Sequence, residues 1–459
     1  MSKKIIFTLV ALAAIAFPSC KKFLDLSPKN DIGESEALNN KDRIERALTG
    51  AYSRLQDQSY YGFEWMNAVW LSDDNTTAVG AGTTDLQFDN HEVLASSNTM
   101  EIAWAAMYQA VNAANNVIDA VATVKDPEFT DAEKQDVSGQ AYFIRALVYF
   151  DMARTWGGVP LVLTPTRGYD SSSNVAKSPV ADVYAQVLKD LNEAENRLPA
   201  TLNRNIATKK AAQALKARLY LYLKDWTNAS QFAGTLIADA SEYSLVDPYE
   251  NLITVKNNTE NIFELNFTPT DGNPLAGIFY PNGLGGSYRI GPTQAIVALL
   301  TDPAKAGGRG TLAGNYNGTP YANRYRRVSG DQQDDDVSIL RLSEMYLIRA
   351  EAKAHLNDVT GGLQDLNAIR NRAHVLPAVA ADSAALLQSI EDERRLEFAF
   401  EPFRWFDLVR TGRAAAVLGV TDPKNMFSPS PLRRSSPTGC WSRMTDTDHH
   451  AYSSSILSK

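Results

Sequence analysis

Two stretches of this 459-residue chain bring together side chains that could grip a flat, hydroxyl-rich solute. In the first, Trp65 and Trp70 stand with Asn67, Asp73, Asp74 and Asn75. In the second, Tyr280, Asn282, Tyr288, Arg289, Tyr316, Asn317, Tyr321, Asn323 and Tyr325 follow one another closely. Aromatic faces stack on the apolar faces of sugar rings, and planar polar groups take paired hydroxyl hydrogen bonds. The residues expected to touch such a ligand are Trp65, Asn67, Trp70, Asp73, Tyr280, Asn282, Tyr288, Arg289, Tyr321 and Tyr325. Against this stands the ordinary fate of a loop aromatic, which is to pack beneath its own loop.

Reactive constellations are missing from the sequence. It contains no His-Glu-x-x-His, no Gly-x-Ser-x-Gly elbow and no Gly-x-x-x-x-Gly-Lys phosphate loop. Of the five histidines (His91, His355, His374, His449 and His450), only the terminal pair has ligand-like spacing. Asp334-Asp335-Asp336 reads as a solvated loop rather than a calcium site. Glu393, Glu397 and Glu401 recur along one helix face beside Arg394, Arg395 and Arg404, and salt bridges account for them. A glycosidase needs two carboxyls roughly 5 to 9.5 Å apart across a sugar bond, and no pair is singled out. No catalytic residue, metal site or cofactor is therefore expected. Two cysteines exclude a disulfide framework or a four-ligand zinc site. With 45 Lys+Arg against 53 Asp+Glu, the formal charge of -8 argues against nucleic acid as a partner.

The elements that would position these residues are mainly helical. Ile44, Leu48, Tyr52 and Leu55 recur at helical spacing, as do Trp104, Tyr108, Val111, Ala114, Ile118 and Val121. Thr130 with Glu133 forms a capping box that opens a helix through Val137, Ala141, Ile144, Val148 and Met152. Gly157-Gly158 and Pro160 end it. Ser178-Pro179 opens the next helix, with Val183, Val187, Leu191 and Leu198 on its buried side. Two segments repeat a helix-turn-helix unit: Ala217, Leu223 and Asp225 recur as Ala350, Leu356 and Asp358, each 133 positions on. Such pairs bury faces that neither helix could hide alone. Loop-rich insertions interrupt the helices at about 60–98 and 248–336, with short strand-like runs such as 261–267.

The N-terminus carries its own signal. Lys3 and Lys4 precede an apolar run from Ile5 to Phe17, the length of a secretory h-region and too short to span a bilayer. Pro18-Ser19-Cys20 follows. A small residue before a cysteine at this point resembles a bacterial lipobox, although Phe17 and Pro18 depart from its commonest form. The expectation is a signal peptide at 1–19, lipidation of Cys20 and a linker over 20–40.

Three blocks then resemble one family. Gln140–Phe150 with Trp156-Gly157-Gly158-Val159-Pro160-Leu161, Arg341–Ala352, and Glu393–Glu401 with Arg404–Arg410 look like the signatures of SusD/RagB-like proteins, in that family's order. The resemblance implies a non-catalytic outer-membrane lipoprotein that captures nutrients, mostly glycans, beside a SusC-like TonB-dependent transporter. It also implies a single domain of tetratricopeptide-like helix pairs, spanning 41–427, with loop-rich insertions carrying a few short strands. Within these blocks Arg145, Trp156, Glu393, Arg394, Glu397 and Trp405 read as buried packing and ion pairs rather than ligand contacts. A secreted glycoside hydrolase and a helical-repeat scaffold binding only protein are the rival readings.

The family's usual ending, near Pro-Ile-Pro and then Gln-Asn-x-Gly-Tyr, is missing from 428–459. With one permitted codon choice for Ser428 to Thr447, the neighbouring frame restores it. The sequence thus predicts a frameshift just after Phe427 and a disordered tail.

Overall fold

The computed structural model describes residues 38–80, 82–94, 97–167, 175–328 and 333–420. The leader, Cys20 and the 428–459 tail lie outside the described residues. Four helices begin the scaffold: α1 (Lys41–Leu55), α2 (Glu64–Leu71), α3 (Thr83–Asp89) and α4 (Asn98–Thr123). After them come α5 (Asp131–Trp156), α6 (Val180–Arg197), α7 (Lys209–Tyr222) and α8 (Trp226–Ile237). Four short helices sit in the long insertion: α9 (Glu250–Thr254), α10 (Leu275–Phe279), α11 (Gln294–Leu300) and α12 (Pro303–Ala306). The chain then returns to the scaffold with α13 (Leu342–His355), α14 (Val359–Arg372), α15 (Ser383–Glu397), α16 (Arg404–Arg410) and α17 (Ala414–Leu418).

Local sequence dictates these boundaries. Asn40 caps α1, its side chain accepting the Arg43 N–H at 3.1 Å. The capping box at Thr130 and Glu133 is formed, and α5 ends at Gly157, whose φ of +71° suits a residue without a side chain. Pro179 is the residue before α6 rather than its first residue. In the repeated unit, Asp225 and Asp358 cap α8 and α14 through the Asn228 and Gly361 N–H groups, each cap contributing about 1 kcal/mol. Lys224 and Asn357, again 133 positions apart, both turn through positive φ.

Neighbouring helices pack in sequence: α1 on α4, then α4 on α5, α5 on α6, α6 on α7 and α7 on α8. Helix α8 then meets α13, which packs on α14 and α15. The 133-residue repeat is thereby closed in space, with the insertion excluded from the stack. Helix α5, covered by α4 and α6, is buried almost continuously from Val137 to Trp156.

Among the described residues, eight short strands make four antiparallel pairs: β1 (Thr76–Ala78) with β5 (Ile290–Pro292), β2 (Val159–Pro160) with β3 (Lys177–Ser178), β4 (Asn261–Leu265) with β8 (Val337–Arg341), and β6 (Ala313–Tyr316) with β7 (Thr319–Ala322). The β4–β8 pair closes the neck of the long insertion, with Asn261 opposite Arg341 and Leu265 opposite Val337. Arg341 fastens that neck to the scaffold. Its guanidinium bonds Glu260 at 2.8 Å, Glu397 at 2.6 Å and Glu401 at 3.0 Å, all of them buried.

Two features depart from the sequence reading. The 60–98 stretch is not mainly loop: α2 and α3 lie within it, and every residue of α2 but Glu64 is buried. A helix covered on all sides has no polar face, so the 3.6-residue alternation that betrays a surface helix is absent. The Asp334–Asp336 run is not a solvated loop either. Asp335 is buried and accepts the Arg326 and Arg327 N–H groups at 2.7 Å, while Asp336 pairs with Lys256 at 3.0 Å.

Candidate functional site

The β1–β5 pair joins the two candidate stretches, with Thr76 opposite Pro292 and Ala78 opposite Ile290. Just before β5, the Tyr288 N–H bonds the Tyr280 carbonyl at 2.9 Å and the Arg289 N–H bonds the Ile278 carbonyl at 2.8 Å. Tyr288 has a φ of +48° at this point. Tyr288 donates its hydroxyl to the Pro320 carbonyl at 2.6 Å. Arg289 forms a fork with Asp85 at 2.6 and 2.8 Å and lies 4.9 Å over the Phe63 ring. Asp85 is buried and also accepts the Asn67 amide at 3.0 Å, so Asn67 acts one step behind the surface. Arg289 itself stays 34 % exposed, a planar cation held in one orientation.

The hairpin β6–β7 supplies the opposite wall. Asn317 and Gly318 form its two-residue turn, both at positive φ (+51° and +86°), which the right-handed twist of paired strands favours. Tyr321 stands across from Gly314, and its ring fills the space above that glycine. The Tyr280 and Tyr321 rings meet at 4.6 Å with planes inclined by 54°. Tyr280 donates to Asn323 Oδ1 at 2.5 Å, and Asn323 is fixed in turn by its amide bond to the Thr311 carbonyl at 2.9 Å. Tyr316 leans on Gly283, where any side chain would collide with its ring.

Tyr280 and Tyr321 thus form a ring pair, with Tyr288 tied to the adjoining Pro320 and Tyr316 seated on Gly283 nearby. Three of them are half-buried, Tyr280 is 9 % exposed, and Asn282 is exposed beside them. The Tyr280 and Tyr288 O–H groups are already engaged; Tyr288 offers ring surface rather than a free donor, whereas Tyr280, expected as a contact, is buried and backs the Tyr321 ring. Phenols are neutral at physiological pH, and burial pushes both of these further above it. A neutral aromatic surface beside a fixed guanidinium and an exposed amide suits an uncharged, hydroxyl-rich ring.

The other expected contacts are not at the surface. Trp65 has no exposed area: it donates to Thr155 at 3.0 Å and is enclosed by Tyr60, Tyr61 and Phe406. Trp70 is equally buried, against Phe279 at 5.0 Å and Tyr325 at 6.1 Å. Tyr325 is 2 % exposed and Asn67 is buried. Asp73 is buried and caps the turn before β1 by accepting the Asn75 and Thr76 N–H groups. Burial pushes its carboxyl up to about 8. These five residues form the floor beneath the insertions rather than their outer face, because α2 is wedged between scaffold and loops.

The sequence reading missed Asp85 and Phe63, which orient Arg289, and the glycines on which Tyr316 and Tyr321 rest. One signal was available: Asn317-Gly318 between two tyrosine-bearing runs is a hairpin signature. The residues read as scaffold are so placed. Arg145 pairs with Asp190 at 2.7 Å, Arg394 with Asp407 at 2.8 Å, and Trp156 and Trp405 are buried. Glu393, Glu397 and Glu401 are indeed ion-paired, but to Arg309, Arg370, Arg372, Arg324 and Arg341 from elsewhere in the chain rather than to their sequence neighbours. Among the described residues, no three His, Cys, Asp or Glu side chains are gathered as a metal site.

A stack of helical hairpins carrying loop-rich insertions defines the class of scaffold. Two family models place the chain within it. Residues 22–221 match a SusD-like family described as starch-binding and associating with the outer membrane, and residues 307–431 match the SusD family. The chain belongs to the SusD/RagB-like family. It is 26% identical to SusD-like protein P38 of Formosa agariphila, over 91% of this chain and 93% of that protein. It is 25% identical to a SusD-like protein of Bacteroides ovatus, over 87% of this chain and 81% of that protein. Among solved structures, a SusD superfamily protein of Bacteroides vulgatus shares the fold with a TM-score of 0.75 at 21% identity, covering 84% of this chain and 91% of its own. A laminarin-binding SusD-like protein superposes with a TM-score of 0.73 at 24% identity, covering 86% and 96%.

Proposed function

We propose that this protein is a cell-surface lipoprotein that binds an oligosaccharide on the Tyr280–Tyr288–Tyr316–Tyr321 patch and delivers it to a SusC-like TonB-dependent transporter. The observation that carries the reading is the patch itself: neutral rings pre-positioned by glycine seats, beside an arginine that Asp85 holds still. Rigid rings lose little freedom on binding, which favours modest but selective affinity. Weak, multipoint contact suits a protein that must release its cargo. The laminarin-binding neighbour supports a β-glucan as the first ligand to try. Cys20 is the proposed anchor, and attachment at the membrane would raise ligand concentration beside the channel.

The test is a glycan array, with laminarin oligosaccharides included, followed by titration of Tyr321→Ala. Loss of binding in a folded variant supports the reading, whereas unchanged binding overturns it. Reducing ends released from the bound sugar would mark a hydrolase instead. Palmitate labelling of the wild type and of Cys20→Ser tests the anchor, and co-purification of an outer-membrane barrel tests the partner.

A further inference from the structure

Arg289 brings a positive charge to the proposed oligosaccharide site, but most of that charge is already spent. Its Nε and Nη2 fork onto Asp85 at 2.6 and 2.8 Å, and the Asp85 side chain is only 1% exposed. One face of the guanidinium lies over the Phe63 ring. What is left is Nη1, which has no acceptor among the described residues and remains open to solvent.

The groups around this pair add no free cation. Asn67, a neutral amide, is the third donor to Asp85, at 3.0 Å. Glu64 stands close enough to act on Arg289 and Asp85, and burial raises its own carboxyl. Arg326, the cation that bears on Tyr280, is taken up by Glu250 and Thr311, each at 2.7 Å.

An unpaired arginine facing a sugar would grip a carboxylate or sulfate side-on, through Nε and Nη2 together. Here Asp85 closes that edge. The remaining Nη1 N–H groups can donate to a hydroxyl, which asks for no compensating charge. A uronate or sulfate at the same place would meet a cation already cancelled and would give up its hydration without recompense. We infer that Asp85 is a specificity-determining residue of this site: by cancelling the Arg289 charge and closing its fork, it confines binding to neutral oligosaccharides and turns away uronate- or sulfate-bearing ones. The inference rests on the site proposed above and adds a rule of selection to it. Because the rule acts on charge rather than shape, Asn at position 85 relaxes it while keeping the outline of the contact.

The test is an array of neutral oligosaccharides, laminarin fragments included, each paired with its C6-oxidised uronate form. It is read at low salt and at about 1 M salt, where screening acts within about 3 Å. Wild-type protein should bind the neutral member of each recognised pair more tightly, by roughly tenfold or more, at both salt concentrations. Asp85→Asn leaves the guanidinium uncancelled and should narrow that gap by roughly tenfold at low salt, losing the gain at high salt. Adding Arg289→Gln should remove the gain, since no charge is then left to unmask. A purely structural role for Asp85 would weaken both members alike and leave the ratio unmoved.

An unmoved ratio in folded Asp85→Asn would overturn the inference. So would uronates bound by the wild type as tightly as their neutral partners, a comparison that needs no variant to fold. Binding that Tyr321→Ala leaves intact would remove the proposed site itself, and the selection rule with it. A ratio that fails while Tyr321→Ala abolishes binding would sink the rule alone.

Discussion

Tyr321 stands opposite Gly314 across the β6–β7 ladder, and its ring occupies the volume that a side chain at position 314 would need. Gly314→Val should therefore lift the ring off its seat and part it from Tyr280 without opening the core, since both strands are half-exposed. Loss of one aromatic contact of about 1 kcal/mol gives roughly a fivefold weaker Kd for the bound oligosaccharide. Calorimetric titration with an unchanged melting temperature is the expected result. Unaltered affinity would remove Tyr321 from the site.

Arg289 depends on Asp85 for its direction. Asp85→Asn leaves a weaker acceptor beneath the guanidinium and should cost about 1–3 kcal/mol of stability, because Asp85 is buried. Arg289→Lys keeps the charge but loses the fork, so it should weaken ligand binding while barely moving the denaturation midpoint. Together the two variants separate positioning from contact.

Arg341→Met removes the cation shared by Glu260, Glu397 and Glu401 and should destabilise the protein by about 3–5 kcal/mol. Burial alone would raise the Glu397 carboxyl, but Arg372, Arg341 and Arg309 hold it well below the ordinary carboxylate range. A depressed value means that its stabilisation is complete above the unfolded value of 4.5 and is lost as the pH falls toward the folded one. In Arg341→Met the acid unfolding midpoint should move to higher pH, as far-UV circular dichroism between pH 2 and 5 would show.

Glu264 behaves in the opposite sense. Burial, reinforced by Asp336, pushes its carboxyl up to about 7. The folded state therefore holds the proton more tightly, and the associated stability is full below pH 4.5 and lost as the pH rises through 7. The melting temperature of the wild type, measured against Glu264→Gln, should decline between pH 4.5 and 7 and then level off. A flat difference would show that Glu264 titrates normally.

The scaffold was legible in the sequence because its signals are local: a capping box at Thr130, a glycine stop at 157 and the 133-residue echo of Asp225 in Asp358. The proposed site was legible only in part. Tyr280, Tyr288 and Tyr321 were found as loop aromatics, and Arg289 and Asn282 as their polar company. Trp65 and Trp70 have the same composition around them, yet they lie inside, because composition does not reveal which face of an insertion meets the scaffold. Nor could spacing show that Arg289 depends on Asp85, 204 residues away. That pairing exists only once β1 has met β5.

The hairpin 313–322 leaves and rejoins its neighbours at one point, where Ala313 faces Ala322. Its tip takes no part in the stacking of helices. This finger can therefore be lengthened, shortened or replaced while the column behind it goes on folding as before.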